Sequence, residues 1–392
     1  MTDRVCETTL SDTFPTTTVT DGDRTVRQLT TGPGTSYPLY YYVPTITSDG
    51  GQLVYHRAHD GEIQLHRLDL ATGESIRLTD ANASDAHWRH WCTDPGTGVL
   101  DHRSVLDRTG RGVIYFDGTD VRRVGLDGDG DELLFSIGSD RRAIGQNCVT
   151  PDGEWFVYIH HERDRFDRMT AGDGVDRHRS RGTVLAAYRF ATGEHRELVR
   201  INSPIHHVLP YDERRLIFCH PATENGMLLT DIEGGWYTHM RTQDAAGGTV
   251  CHHLATDEGI AYEVLGGDAG LLGGIWDPDT HDSREFALPD HFGYTHTGWD
   301  PAGRRFFYET AGDRGHGIHW LVRHDPDGDD EWRTVVADWP TYGGGQKAHF
   351  HPQLTPGGRW MLVTAGEPAT ETNQLFLVDV ADLGPTAGLD WP

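Results

Sequence analysis

The chain has 392 residues, of which 48 are glycine and 19 proline, and carries a formal net charge of −26. So negative a protein excludes nucleic acid and anionic membranes as its main partners, since both would be repelled. The glycine content suits an all-β fold with many tight turns, because glycine supplies their positive-φ positions, while length alone leaves one large domain or two ordinary ones open.

Residues 1–20 are polar and threonine-rich and are expected to be irregular; they lack the basic and apolar regions of a secretory leader. No run approaches the length of a membrane span. A β-strand is predicted over 24–30. Thereafter a short strand recurs seven times, each just after a turn bearing Gly, Asp or Pro, at 52–55, 112–116, 155–159, 215–219, 260–264, 305–308 and 360–363. A second strand follows each one, at 63–70, 121–126, 184–190, 227–232, 274–276, 318–322 and 375–380. The starts of the first strands lie 43 to 60 residues apart, near the period of about 40 to 50 residues of a four-stranded propeller blade and longer than a β-sandwich requires. The sequence therefore predicts an all-β, seven-bladed β-propeller over 21–392 as a single domain, closed by pairing the N-terminal strand with the final blade so that no edge is left exposed.

The third repeat carries an insertion that concentrates Arg163, Arg165, Arg168, Arg177, Arg179 and Arg181. Guanidinium groups pair with carboxylates bidentately, which suits an acidic substrate; equally, these arginines could pair with Glu162, Asp164, Asp167, Asp173 and Asp176 of the same loop. The cysteines, Cys6, Cys92, Cys148, Cys219 and Cys251, are scattered and never spaced as C-x-x-C, which argues against a disulfide framework or a thiolate zinc site. A soluble, cytoplasmic protein is expected. Lys347 is the sole lysine, and aspartate crowds turns such as 127–131. That pattern resembles proteins of salt-loving archaea, in whose medium the Debye length is about 3 Å or less and carboxylate repulsion is screened; a GC-rich genome would also exchange lysine for arginine.

Aligning the residues before each repeat turn puts His296, His351 and His252 at one register, with His206 (or, after a one-residue shift, Ile205) and Gln146 in the preceding repeats. In a propeller the start of the innermost strand lies by the central channel, so several blades are expected to aim histidines at one place. Other histidines, such as His56, His59, His66, His281 and His324, are expected to be solvated. The densest constellation is Gln346-Lys-Ala-His349-Phe-His351. His349 and His351, two apart in an extended segment, face one side, and Gln346 arrives from the turn at 343–345. Imidazoles with an amide oxygen suit a borderline divalent ion, which leaves Mn²⁺, Fe²⁺, Ni²⁺ and Zn²⁺ open. One divalent metal held by His296, Gln346, His349 and His351 is the expectation.

These residues, with Cys251-His252 and Phe218-Cys219-His220, make the chain resemble the oligogalacturonate lyase family, metal-dependent seven-bladed propellers that degrade pectin fragments. The resemblance runs from about Arg24 to Val380. It implies β-elimination from a short uronic-acid oligosaccharide, with manganese as the first expectation, His252 as base, and His206 and His220 orienting substrate or assisting the leaving oxygen. Arg163, Arg165, Arg168 and Arg177 are the candidate clamp for the acidic substrate. Two places depart from the family pattern. Gly226 stands where the family has an arginine, for which Arg241 is a distant candidate, and His252-His253-Leu254-Ala255 replaces a His-Glu-Phe-Trp string. A lyase for a different uronide, and a non-catalytic sugar- or partner-binding propeller with a residual metal site, are the alternatives.

Overall fold

The computed structural model describes residues 8–19, 24–84, 96–107, 110, 112–164, 167, 182–202, 205–219, 226–240, 248–256, 259–265, 270–287, 294–300, 305–311, 317–322 and 331–383. The strands form seven antiparallel sheets of at least four strands each, the fold class of a seven-bladed β-propeller. Internal contacts divide the chain into two compact units, Met1–Leu78 with Pro289–Pro392, and Thr79–Leu288. Among the described residues no helix is long and apolar enough to cross a membrane.

The first unit holds three sheets. One runs Thr35–Tyr37, Gln52–His59, Glu62–Asp69, Ser75–Arg77, and another Tyr294–Asp300, Arg305–Ala311, Gly317–Val322, Glu331–Ala337. The third combines the two ends of the sequence: Gln353–Leu354, Trp360–Glu367 and Thr372–Asp379 are followed by Arg24–Gln28 and then Thr16–Val19. Val26 pairs with Val378 and is fully buried, so the N-terminal strand closes the last blade as expected. Side chains reinforce the closure: Gln28 Nε2 donates to Glu367 Oε1 at 2.7 Å, and Gln374 Nε2 to the Gly34 carbonyl at 2.8 Å. Thr16–Val19 lies in the segment expected to be irregular and forms a further strand at the outer edge. Threonine and valine favour strands, and an edge strand needs no apolar alternation to declare itself.

The second unit holds four sheets, each joining strands consecutive in sequence. Apolar side chains fill the space between neighbouring sheets. Ile144, Val157, Leu185 and Leu198 of one sheet pack with Val208, Leu216, Phe218 and Leu228 of the next, all buried. In the first unit Phe307, Ile318, Trp320 and Val336 likewise meet Met361, Val363, Phe376 and Val378.

Two of the repeat turns share one chemistry. In Thr47–Gln52 and Thr150–Trp155 the threonine Oγ1 donates to an aspartate at 2.5 Å and accepts from the amide five residues on, at 3.0 and 3.1 Å. Both turns close with a glycine at φ near +71, Gly50 and Gly153, where a side chain would be strained. Two histidines expected to be solvated are not: His56 is buried and stacks on Tyr37, and burial pushes the ring of His66 down to about 4.

Candidate metal centre

The site in the first unit begins with one regular strand pair. His296, on Tyr294–Asp300, lies directly opposite Glu309, on Arg305–Ala311. Two residues along, Gly298 opposes Phe307, and a Cβ at Gly298 would sit 1.8 Å from the Phe307 ring. Glycine there lets the two strands pair closely. The next blade brings the remaining groups. The turn at 343–345 uses Gly343 and Gly345 at φ +76 and +70 and leads into a short 3₁₀ turn, Gly345–Ala348, which presents Gln346. His349 leaves that turn in an extended conformation, but His351 is left-handed at φ +45, not part of an extended run. For a non-glycine residue that conformation costs about 1 kcal/mol or more and must be held by its surroundings. What holds it is a hydrogen bond: His351 N donates to Glu309 Oε2 at 3.1 Å.

Glu309 is the hub, and sequence reading missed it. Its Oε1 accepts from His349 Nδ1 (3.0 Å) and Phe350 N (2.9 Å); its Oε2 accepts from His296 Nδ1 (2.9 Å) and His351 N (3.1 Å). Burial on its own would raise this carboxyl, but the His296 and His349 rings outweigh it and hold the group well below the usual carboxylate range. Conversely, burial would lower His349, and the Glu309 charge overcomes it and raises the ring above its ordinary value. Ligand atoms of His296, Glu309 and His349 lie within 4.8 Å of one another. Glu309 nevertheless stands behind the histidines, because its four acceptor positions are all engaged. With both Nδ1 atoms turned to the carboxylate, Nε2 is the atom each ring presents to an ion. That is the arrangement in which an outer carboxylate fixes the tautomer and raises the basicity of metal-ligating imidazoles.

Gln346 and His351 complete the cluster. His351 Nε2 lies 2.8 Å from Gln346 Oε1, and the His296 ring lies 4.8 Å from that of His349 and 4.7 Å from that of His351. Two aromatic side chains wall it, also unforeseen from sequence. Tyr41 lies 4.7 Å from His296, and Tyr40 5.1 Å from His351. Gln353 pins their turn by donating to the carbonyls of Tyr40 and Val43. The four side chains read from sequence thus converge, and three imidazoles with one amide oxygen over a buried carboxylate fit a borderline divalent cation.

His252 lies in the other unit, on Thr249–Thr256. A break in register between Cys251 and Leu254 takes it out of the ladder; it is left-handed at φ +48, buried, and its Nδ1 lies 2.9 Å from Glu263 Oε2. His253 beside it is fully buried, and burial pushes its ring down to about 3. His206 is buried just before His207–Pro210, and its carbonyl accepts from Gln146 N at 2.9 Å. Gly145, at φ +82, permits that approach, since a Cβ there would lie 2.7 Å from the same carbonyl. One feature absent from the sequence reading is a buried polar run, Asp101 to Ser104, tied to Asn147 through its Nδ2 donating to the Arg103 carbonyl at 2.7 Å.

Of the arginine insertion the structure describes Arg163, whose amide donates to the Asp140 carbonyl, while Asp167 pairs with Arg142 at 2.8 Å, an arginine outside the loop. His220, Arg165, Arg168, Arg177 and Arg241 lie outside the described residues. Cys148 is buried.

No protein-family model matches the chain, and no curated protein matches it. Solved structures do. An oligogalacturonate lyase in complex with manganese superposes with a TM-score of 0.78 at 20% identity, covering 95% of this chain and 98% of that one. The oligogalacturonate lyase of Vibrio parahaemolyticus gives 0.76 at 16% identity, covering 95% and 97%. One of two prolyl endopeptidases gives 0.53 at 14% identity, covering 87% of this chain and 51% of that one. At these identities the likeness establishes the seven-bladed fold, and the resemblance to oligogalacturonate lyases read from the sequence holds at that level.

Proposed function

We propose that this protein is a metal-dependent lyase that cleaves short uronic-acid oligosaccharides in the cytoplasm by β-elimination, leaving an unsaturated uronide. The observation that carries the reading is the convergence of His296, Gln346, His349 and His351 around the buried Glu309. It occurs in a fold whose similar solved structures include a manganese-bound oligogalacturonate lyase. The residues that would hold the ion are His296, Gln346, His349 and His351, and manganese is the first candidate.

In β-elimination the proton on C5, next to the carboxylate, departs; its electron pair forms the C4–C5 double bond, and the C4–O bond to the neighbouring sugar breaks. The difficulty is the charge that accumulates on the carboxylate. A divalent cation held by His296, Gln346, His349 and His351 would supply a Lewis acid to stabilise this charge. His252 takes the proton as general base, the role an imidazole most often fills. His206 and His220 orient the sugar or return a proton to the departing oxygen. Arg163, Arg165, Arg168 and Arg177 offer guanidinium partners for the substrate's other carboxylates.

A lyase for a different uronide is the second reading, favoured by Gly226 in place of the arginine that the resemblance would require. Incubating the purified protein in high salt with oligogalacturonate, and then with a panel of other uronides, tests both by ultraviolet absorbance of the unsaturated product. Turnover that chelation abolishes and Mn²⁺ restores is expected, and His252→Ala should lose turnover while still binding Mn²⁺. Metal-loaded protein inert on every uronide would overturn the reading; loss of metal by His252→Ala would reassign that residue as a ligand.

A further inference from the structure

We infer that Glu263 is a positioning residue that keeps the His252 proton on Nδ1, so that Nε2 is the atom that receives the substrate proton; the inference rests on the lyase reading of His252. The two groups lie 2.9 Å apart, with side-chain exposures of 4% and 0%. A carboxylate only accepts, so the ring nitrogen facing it carries hydrogen and the other nitrogen keeps its lone pair for chemistry.

The backbone shows how the contact is made. Glu263 pairs in the ladder with Cys251, and the next pair is Leu254 with Ala261, so His252 and His253 together oppose Tyr262 alone, a bulge of one extra residue. Bulges re-aim side chains. His252 adopts φ +48 within the bulge, a conformation that costs about 1 kcal/mol or more, and its ring then reaches the carboxylate. Burying a carboxylate carries a further penalty that an apolar pair would avoid. Core packing alone therefore gives no reason for this pair.

The repeat supplies an independent argument. Glu263 follows Tyr262 as Glu309 follows Tyr308, at one register of the second strand in successive blades. The other blades place His56, Phe116, Ile159, Cys219 or Thr364 there, so a glutamate stands at this register in these two blades alone. Each of the two glutamates sits 2.9 Å from the Nδ1 of a histidine on the preceding strand. One register position thus orients a ligand imidazole in one blade and the base in another. When Nε2 takes the C5 proton, the C5–H electrons form the C4–C5 double bond, the departing oxygen keeps its bonding pair and gains a proton from solvent or a neighbouring histidine, and the imidazolium left behind faces the Glu263 charge.

The test compares wild-type protein with Glu263→Gln and Glu263→Asp on whichever uronide the wild type cleaves, measuring kcat, KM, Mn²⁺ affinity and the kinetic isotope effect of C5-deuterated substrate. General-base catalysis contributes about 10²- to 10⁴-fold. Glu263→Gln should therefore lower kcat by on the order of 10²-fold with KM and Mn²⁺ affinity little changed, and should enlarge the isotope effect; Glu263→Asp should restore part of the loss. A merely structural role would lower soluble yield and melting temperature without moving the isotope effect. Glu263→Gln with wild-type kcat and isotope effect would overturn the role of Glu263 while leaving the lyase reading intact. Wild-type protein that binds Mn²⁺ yet cleaves no uronide would overturn both.

Discussion

Four hydrogen bonds converge on Glu309, two from imidazoles that would hold the ion and two from amides that fix their backbone. Glu309→Gln keeps the volume but removes the charge, and an amide cannot accept from all four donors. Loss of an outer carboxylate of this kind typically costs about 10- to 100-fold in metal affinity. Isothermal titration with Mn²⁺ should find that loss; unchanged affinity would make Glu309 a bystander. The ion-free protein should also weaken. The carboxyl is held below its ordinary range, so its contribution is present above the unfolded carboxylate pKa of about 4.3 and is lost as pH falls through the folded value. At this scale the clustering of His296, Gln346, His349 and His351 was legible because imidazole and amide in close spacing suit coordination. Glu309 had a weaker signal, an acid at a register where Ile159 and Thr364 stand. Tyr40 and Tyr41 had none, since their contact depends on Gln353, more than three hundred residues away in sequence.

The strand Tyr294–Asp300 delivers His296 only because Gly298 leaves room for the Phe307 ring. Phe307 is itself fixed, stacked on Trp320 at 5.6 Å, so the ring has little freedom to retreat. Gly298→Ala should destabilise the protein by about 1–3 kcal/mol, the usual cost of overpacking. It should also weaken Mn²⁺ binding, because a shift at residue 298 propagates two residues to His296. Melting temperature and Mn²⁺ titration check this, and Phe307→Leu in the same chain should recover part of both losses. Recovery of neither would place the fault in the glycine backbone, not in the clash. The strands were recognisable as elements, but their ends were not. The reading stopped at 308 and 363, whereas the ladders run to Ala311 and Glu367, because Glu309, Thr310 and Thr364 continue the strand as buried polar residues. A period of apolar residues cannot reveal polar positions whose reason for burial is a partner elsewhere.

Over the whole chain, seven repeats and a closing N-terminal strand were legible because repeat periodicity and edge pairing are properties of sequence order. Burial of titratable rings was not legible, and it has a consequence for the stability of the molecule. Burial holds His66, His160 and His253 near 4, 4 and 3, aided in the first two by nearby arginines, against an ordinary value of 6.5. Below 6.5 the unfolded chain binds protons that the folded chain refuses, so stability falls with pH until the folded values are reached. At pH 5 each fully neutral ring accounts for about 2 kcal/mol, and three for at most about 6 kcal/mol, against a typical total of about 5–15 kcal/mol. Two effects oppose this: His349, raised by Glu309, contributes stability that is fully present below 6.5 and lost as pH rises through its folded value, and the −26 charge is relieved as pH falls. The first is one ring against three, however, carboxylates titrate mainly near 4, and molar salt screens their repulsion. In high salt the denaturation midpoint should therefore fall steadily from pH 7 to pH 5. His253→Gln, which removes the most deeply buried of the three rings, should reduce the slope by close to one proton. A midpoint that is flat across this range, or a His253→Gln slope equal to that of the wild type, would show that these rings take up protons in the folded protein as readily as in the unfolded one.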